Sequence, residues 1–228
     1  MKKLFFALLF LCFGFCGVVC AQSFNMQTDH EDITSLDGLW RFHTGDDPRW
    51  ADPKFDDSQW PLLRSDENWD LQGYKGYGGF AWYRFTLETP GTERPLSLAL
   101  SPISSSYRVY ADGKLLGGWA YMPPSQLALR SRPRVYDLPR AGETGPRTIH
   151  IAIRVWQFPA WAAYAPGGVL DPGNIAGNRQ LIQQRMRVFE ESSTSRIANS
   201  YTFSVLALLF GQVVLSLFLF RPAEREYL

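Results

Sequence analysis

Carboxylates flanked by aromatic rings are what an enzyme uses to cleave a glycosidic bond. One stretch, PKFDDSQWPLL at 53–63, sets Asp56 and Asp57 between Phe55 and Trp60. A two-carboxylate mechanism needs the groups to face each other across the substrate. Adjacent residues of an extended chain point to opposite sides, so this pair does not meet that need. Asp and Ser side chains bond back to their own backbone in turns, and Phe55 and Trp60 supply apolar anchors for such a turn. The stretch reads as architecture, with Asp56 and Asp57 structural, and Trp40, Trp60 and Trp82 are assigned to the core.

Other reactive residue types are scattered. His30, His43 and His150 lack metal-ligand spacing, and all three cysteines (Cys12, Cys16, Cys20) lie in the first 20 residues, so a zinc-type site is not expected. His150 falls opposite the isoleucines of its strand, an exposed or edge position. Gly73 to Gly79 (GYKGYGG) has no Lys-Ser/Thr pair and reads as a loop, not a phosphate cradle. Ser104-Ser105-Ser106 has no glycine elbow and no evident His or Asp partner. No cofactor is implied. The functional promise is aromatic: Trp156, Phe158, Trp161 and Tyr164 crowd RVWQFPAWAAYAPGG, and Trp119 with Tyr121 lies in GGWAYMPP. Aromatic faces on loops can stack on sugar rings, and Arg130, Arg132 and Gln157 could bond hydroxyls or an acidic group. The same rings could instead pack the loops or dock the domain on a membrane. Trp161 with Trp119 is the first choice for a ligand wall.

The elements that must position these rings have strand period. Ile149, Ile151, Ile153 and Val155 alternate with His150, Ala152 and Arg154. Tyr83, Phe85 and Leu87 alternate with Arg84 and Thr86, and Leu96, Leu98 and Leu100 form a third series. Tyr107, Val109 and Ala111 run into Asp112-Gly113, a two-residue hairpin signal, with Lys114 to Leu116 returning. Leu39 to Phe42 and Arg134 to Leu138 complete the set. Short strands between Gly/Pro/Asp turns predict a mainly β, antiparallel sandwich. From about Pro172 the pattern changes: Ile175, Ile182, Met186 and Phe189 recur at helical spacing, predicting an amphipathic helix.

Both ends are apolar. Lys2-Lys3 precedes an apolar run to Val19, and Val19-Cys20-Ala21 suits a signal peptidase, so residues 1–21 read as a signal peptide. The rival readings are a lipidated Cys20 and an uncleaved anchor helix. No charge lies between Arg196 and Arg221, and at ~1.5 Å per residue this interval crosses a ~30 Å bilayer core. Arg221 and Arg225 then place the tail inside. The expected location is a bacterial inner membrane with residues 22–198 in the periplasm. A net charge of +1 with no basic run gives no footprint for nucleic acid.

The order of motifs is informative. Leu36-Asp37-Gly38-Leu39-Trp40-Arg41-Phe42 is followed by Phe55-Asp56-Asp57-Ser58-Gln59-Trp60, then by Gly79-Phe80-Ala81-Trp82-Tyr83-Arg84. Next come Tyr107 to Lys114 and Ile149 to Val155. This succession, over roughly 36–160, resembles the galactose-binding-like jelly roll at the N-terminus of glycoside hydrolase family 2 enzymes. The resemblance implies that the LDG-W-F strand opens the sandwich and that the F-DD-S-W segment is a structural loop whose Trp packs on the body. It implies too that the catalytic carboxylates sit in a separate downstream barrel, which needs ~200 residues or more.

The resulting expectation is a signal peptide (1–21), an N-terminal linker (22–35) and a galactose-binding-like jelly-roll sandwich (36–170). A juxtamembrane helix (171–198), a transmembrane helix (200–220) and a cytoplasmic tail (221–228) follow. The functional expectation is a non-catalytic, carbohydrate-sensing periplasmic ectodomain of a membrane receptor. Its expected partners are a carbohydrate or other small ligand, the membrane, further membrane helices, or a cytoplasmic kinase or phosphatase. The chain is expected to be a fragment of such a receptor or to signal through a partner chain. A membrane-tethered accessory module of a glycoside hydrolase is the alternative.

Overall fold

The computed structural model describes residues 23–26, 32–89, 94–124, 132–140 and 145–219. In chain order the strands are β1 (Ser23–Asn25), β2 (Ile33–Ser35), β3 (Leu39–Thr44), β4 (Leu62–Arg64), β5 (Gly79–Thr89), β6 (Leu96–Leu100) and β7 (Ile103–Ser104). They continue as β8 (Ser106–Ala111), β9 (Lys114–Trp119), β10 (Arg134–Asp137), β11 (Arg147–Gln157), β12 (Gly168–Val169) and β13 (Ile175–Asn178). One helix, α1 (Arg179–Leu219), ends the described chain.

Alternation does what the sequence predicts on the larger sheet, ordered β4-β3-β5-β11-β8-β9. Ile149, Ile151, Ile153 and Val155 of β11 and Tyr83, Phe85 and Leu87 of β5 are buried in the core. A smaller sheet, β10-β6-β13-β2, covers that core, and β7 pairs with β12 beside it. Trp40 stacks on Phe85 at 4.4 Å, its indole N–H donating to the Leu36 carbonyl at 2.9 Å. Asp112 and Gly113 both take positive φ, 47° and 77°, as a tight primed hairpin turn requires. The fold is a mainly β, antiparallel sandwich.

The boundaries differ from the expected ones. The segment expected as a linker at 22–35 contributes two strands: β1 pairs in parallel with β5 (Ser23 with Thr86, Asn25 with Glu88), and β2 pairs with β13. Ile175, expected to lead a helix, lies in β13 between β6 and β2. The cause is Gly177, where an added Cβ would lie 2.8 Å from the Ile33 Cα, so the backbones approach as only glycine allows. The sandwich therefore runs past residue 170 to Asn178. The helix begins at Arg179, with the Gln180 N–H donating to the Asn178 side chain at 2.9 Å.

Beyond its root the helix is one uninterrupted element, in place of the two expected. Ile182 is fully buried, whereas Val188 and Phe189 are exposed, as is every side chain described at 203–216. No helix among the described residues is long and apolar enough to cross a membrane. The expected signal peptide (1–21) and cytoplasmic tail (221–228) lie outside the described residues.

Candidate functional site

The Asp56–Asp57 stretch is architecture in the structure. Asp56 is exposed and accepts the Ser58 backbone N–H at 3.0 Å, a bond that holds its carboxyl below the usual carboxylate range. Asp57 turns to the sheet and receives Arg84 Nε at 2.6 Å. The alternating pattern puts Arg84 on the outer face, yet it is 3% exposed. Its guanidinium also donates to the carbonyls of Trp50 and Asp52, and it lies 5.6 Å from the Phe55 ring. The 46–61 segment thus folds over the outer face of the sheet. There Trp60, Trp82, Ala51 and Ala152 form a second small core, with Trp50 and Phe55 packed on it. Trp40 is in the main core; Trp60 and Trp82 are not, because β5 alternates and Trp82 points to the opposite face from Tyr83.

The serine run is likewise structural. Ser104 donates to Gln157 at 3.1 Å, Ser105 to the Trp156 carbonyl at 3.0 Å, and Ser106 to the Tyr121 carbonyl at 3.1 Å. Gln157 is fully buried and donates to the Ala165 carbonyl at 3.2 Å, so it braces the aromatic loop from inside. His150, expected exposed or at an edge, is half-buried with Nδ1 3.4 Å from Asp112. Among the described residues no group of His, Cys, Asp or Glu is placed to hold a metal ion.

The aromatic candidates divide. Trp156 lies across from Phe80 on the outer face, with ring centroids 6.5 Å apart. Phe158 follows at 5.5 Å from Trp156, and Trp161 at 5.7 Å from Phe158, edge to face. This series passes from a buried ring, Trp156, to a half-exposed one, Trp161 at 42%, with Tyr164 at 90% beyond it. A helical turn shapes the tip, Ala165 N–H donating to the Trp161 carbonyl at 2.8 Å. Trp119 is elsewhere: it pairs with core residue Tyr107 and packs on the main core, under the Arg134 guanidinium at 4.1 Å. Trp119 and Trp161 therefore do not build one wall. Tyr121 is exposed, and Arg130 lies outside the described residues.

Sequence reasoning missed the partner of the aromatic loop, which is the glycine-rich segment dismissed as a plain loop. Asp70 accepts Gly76 N–H at 2.9 Å on its own loop and Gly167 N–H at 2.8 Å on the other. Gly78 packs so closely that an added Cβ would stand 2.7 Å from the Pro159 Cα. The Tyr77 hydroxyl donates to the Phe80 carbonyl at 2.6 Å, and burial pushes its pKa up, keeping it a donor. The two loops form one stapled surface whose exposed residues include Leu71, Trp161 and Tyr164.

That surface lies at the end of the sandwich away from the helix root. Gly79 pairs with Gln157 at one end of the β5–β11 ladder and Thr89 with Arg147 at the other. At ~3.4 Å per residue the ladder is about 35 Å long. The aromatic loop follows Gln157, whereas Arg179 N–H donates to the Pro95 carbonyl, a few residues beyond Thr89.

No family model matches the chain, and no curated protein does. Solved structures do. A glycosyl hydrolase family 2 member from Bacteroides cellulosilyticus DSM 14838 superposes with a TM-score of 0.52 at 18% identity, covering 64% of this chain and 20% of that one. A beta-glycosidase from Bacteroides vulgatus gives a TM-score of 0.52 at 22% identity, again with 64% and 20% covered. The sandwich has a glycoside hydrolase family 2-like fold. The chain spans about a fifth of the length of these enzymes.

Proposed function

We propose that this protein is a membrane-tethered carbohydrate-binding ectodomain of a bacterial sensor, non-catalytic in itself. The observation that carries the reading is the stapled two-loop surface. It presents Trp161 and Tyr164 to solvent from a braced loop, at the end of a family 2-like sandwich remote from the helix. Aromatic rings held in place lose little conformational entropy on stacking, which suits weak ligands such as sugars. A ligand surface facing away from the anchor is accessible to solutes. The same placement disfavours docking of these rings on the membrane that the helix would enter.

Two observations support the remaining parts. Asp57 is engaged by Arg84 and Asp56 caps its own turn, which leaves that segment without a facing acid and base. Phe203, Leu208 and Phe210 are each more than 70% exposed on α1, an apolar surface that lipid would cover. The side chains described there, 203–216, extend only ~20 Å; the apolar sequence from Ser200 to Phe220 supplies a length of about 30 Å. In this reading the exported side holds the sandwich, and an output module such as a kinase or phosphatase lies across the membrane, in the same chain or a partner.

The test is a glycan array probed with the full chain in lipid nanodiscs, alongside the Trp161→Ala variant. Binding of a defined glycan class that the variant loses by tenfold or more is expected. A wild-type protein that binds no glycan, or a variant that binds as well as wild type, overturns the reading. Hydrolysis of aryl glycosides by the purified chain would overturn its non-catalytic part.

A further inference from the structure

A single short strap joins the aromatic loop to the helix. Gly167 N–H is held by Asp70, and Trp69 N–H donates to the Gly167 carbonyl at 3.2 Å. Gly168 and Val169 then pair with β7, and Leu170 N–H donates to the Pro102 carbonyl at 2.9 Å. From Ile175 to Gly177 the strap is bonded on both sides, and at Asn178 it caps α1. It thus traverses the sandwich from the exposed rings to the helix root in a dozen residues.

Midway the strap is held by a side-chain latch. Asp37 accepts three bonds, from the Gly173 N–H at 2.7 Å, the Asn174 N–H at 3.0 Å and the Asn174 Nδ2 at 2.8 Å. Asn174 is fully buried and uses its other capacity completely. Nδ2 donates to the Ser65 carbonyl at 3.0 Å, and Oδ1 accepts from Ser101 N–H at 3.0 Å and Ser101 Oγ at 3.2 Å. The helix root is tied to the body by the Arg179 N–H bond to the Pro95 carbonyl at 3.0 Å, by buried Ile182 and by an Arg179–Asp137 ion pair at 3.2 Å. The strap enters the helix directly at this root, Asn178 being both the last residue of β13 and the cap of α1.

We infer that the strap Gly167–Asn178 couples the aromatic loop to the root of α1, with Asp37 and Asn174 as the positioning residues that make it move as one piece. Four side-chain bonds, to the Asp37 carboxylate, the Ser65 carbonyl and the Ser101 amide and hydroxyl, fix Asn174 in a single arrangement, so the strap cannot bend there without losing several bonds at once. A displacement of Gly167 is carried to Ile175 in place of being absorbed midway. With the latch open, the segment 170–174 would take up the movement locally. The inference deepens the sensor reading and rests on it for its biological meaning, but the coupling is a property of the fold and is measurable without any ligand.

The experiment is hydrogen-exchange mass spectrometry on the full chain in nanodiscs, as a cycle of two substitutions. Gly78→Ala sets a methyl against the Pro159 backbone and so perturbs the aromatic loop. Asp37→Ala opens the latch, and Asp37→Asn keeps one acceptor. Gly78→Ala is expected to speed exchange of peptides in 158–168 and also, by threefold or more, of those in 175–182. In the Asp37→Ala background the loop still responds but 175–182, already faster, shows no further response, and Asp37→Asn falls between. Root exchange that ignores Gly78→Ala while Asp37 is intact overturns the inference, as does an equal root response with and without the latch. Should Asp37→Ala not fold, the Asp37→Asn background carries the same comparison. Failure to find a glycan ligand would leave this measurement unaffected, so the two ideas fall separately.

Discussion

Two aromatic loops decorate the sandwich, and they end differently. The 46–61 segment brings Trp50, Phe55 and Trp60 onto the sheet, and its charge is consumed: Arg84 is enclosed by Asp57, main-chain carbonyls and a ring. The 156–165 segment starts the same way, from buried Trp156, but finishes with Trp161 and Tyr164 in solvent. Both are rich in the residues that bind sugars. What separates scaffold from candidate binding surface is whether the rings and polar groups find partners within the chain.

Breaking the closed loop should have the largest effect. Arg84→Ala leaves Asp57 and the carbonyls of Trp50 and Asp52 without their donor; a loss of about 4 kcal/mol is expected in urea unfolding. Trp60→Ala should cost about 3 kcal/mol by the same measurement, from lost burial and the cavity left behind. Asp57→Ala should lower the unfolding midpoint clearly while Asp56→Ala leaves it nearly in place, because of the two neighbours it is Asp57 that bonds the buried Arg84 guanidinium. An equal effect from both would remove the distinction between them.

Alkaline pH acts on the body of the sandwich and on the glycine-rich loop more gently. Burial raises the pKa values of Tyr77, Tyr83 and Tyr136 above the ordinary tyrosine value, and Tyr136 also donates to Tyr107 at 3.0 Å. The unfolded chain loses these protons near pH ~10 while the folded chain keeps them. Stability is therefore fully present below that pH and falls as pH rises above it. Tyrosinate absorbance from these rings should appear only together with loss of tryptophan burial. The smallest stability effect belongs to the open loop. Trp161→Ala should shift unfolding by less than about 0.5 kcal/mol yet weaken the proposed glycan binding tenfold or more, the split that a surface residue with a binding role produces.

Much of the fold is legible in the residues. Period-two isoleucines and leucines mark β11, β5 and β6, and Asp112-Gly113 marks the hairpin, because one buried face and one special backbone conformation each leave a local signature. What escapes is non-local. Alternation assigns Arg84 to solvent because it cannot see the distant segment that folds over it. Ile175 keeps a seven-residue spacing with Ile182, so it passes for helix until the neighbour of Gly177 is known. Trp119 and Trp156 look equivalent as loop-end tryptophans, and only strand register puts them on opposite faces. The staple by Asp70 has no motif at all, since it joins residues 97 positions apart.

The parallel pairing of β1 has a practical consequence. A shortened protein beginning at Leu36, where the recognisable motifs start, would discard Phe24, which is 3% exposed, and would leave the Thr86–Glu88 flank of β5 bare. An uncovered strand margin beside an empty aromatic slot invites intermolecular pairing. Soluble fragments should retain everything from Ser23 onward, and affinity tags belong elsewhere than directly against that residue.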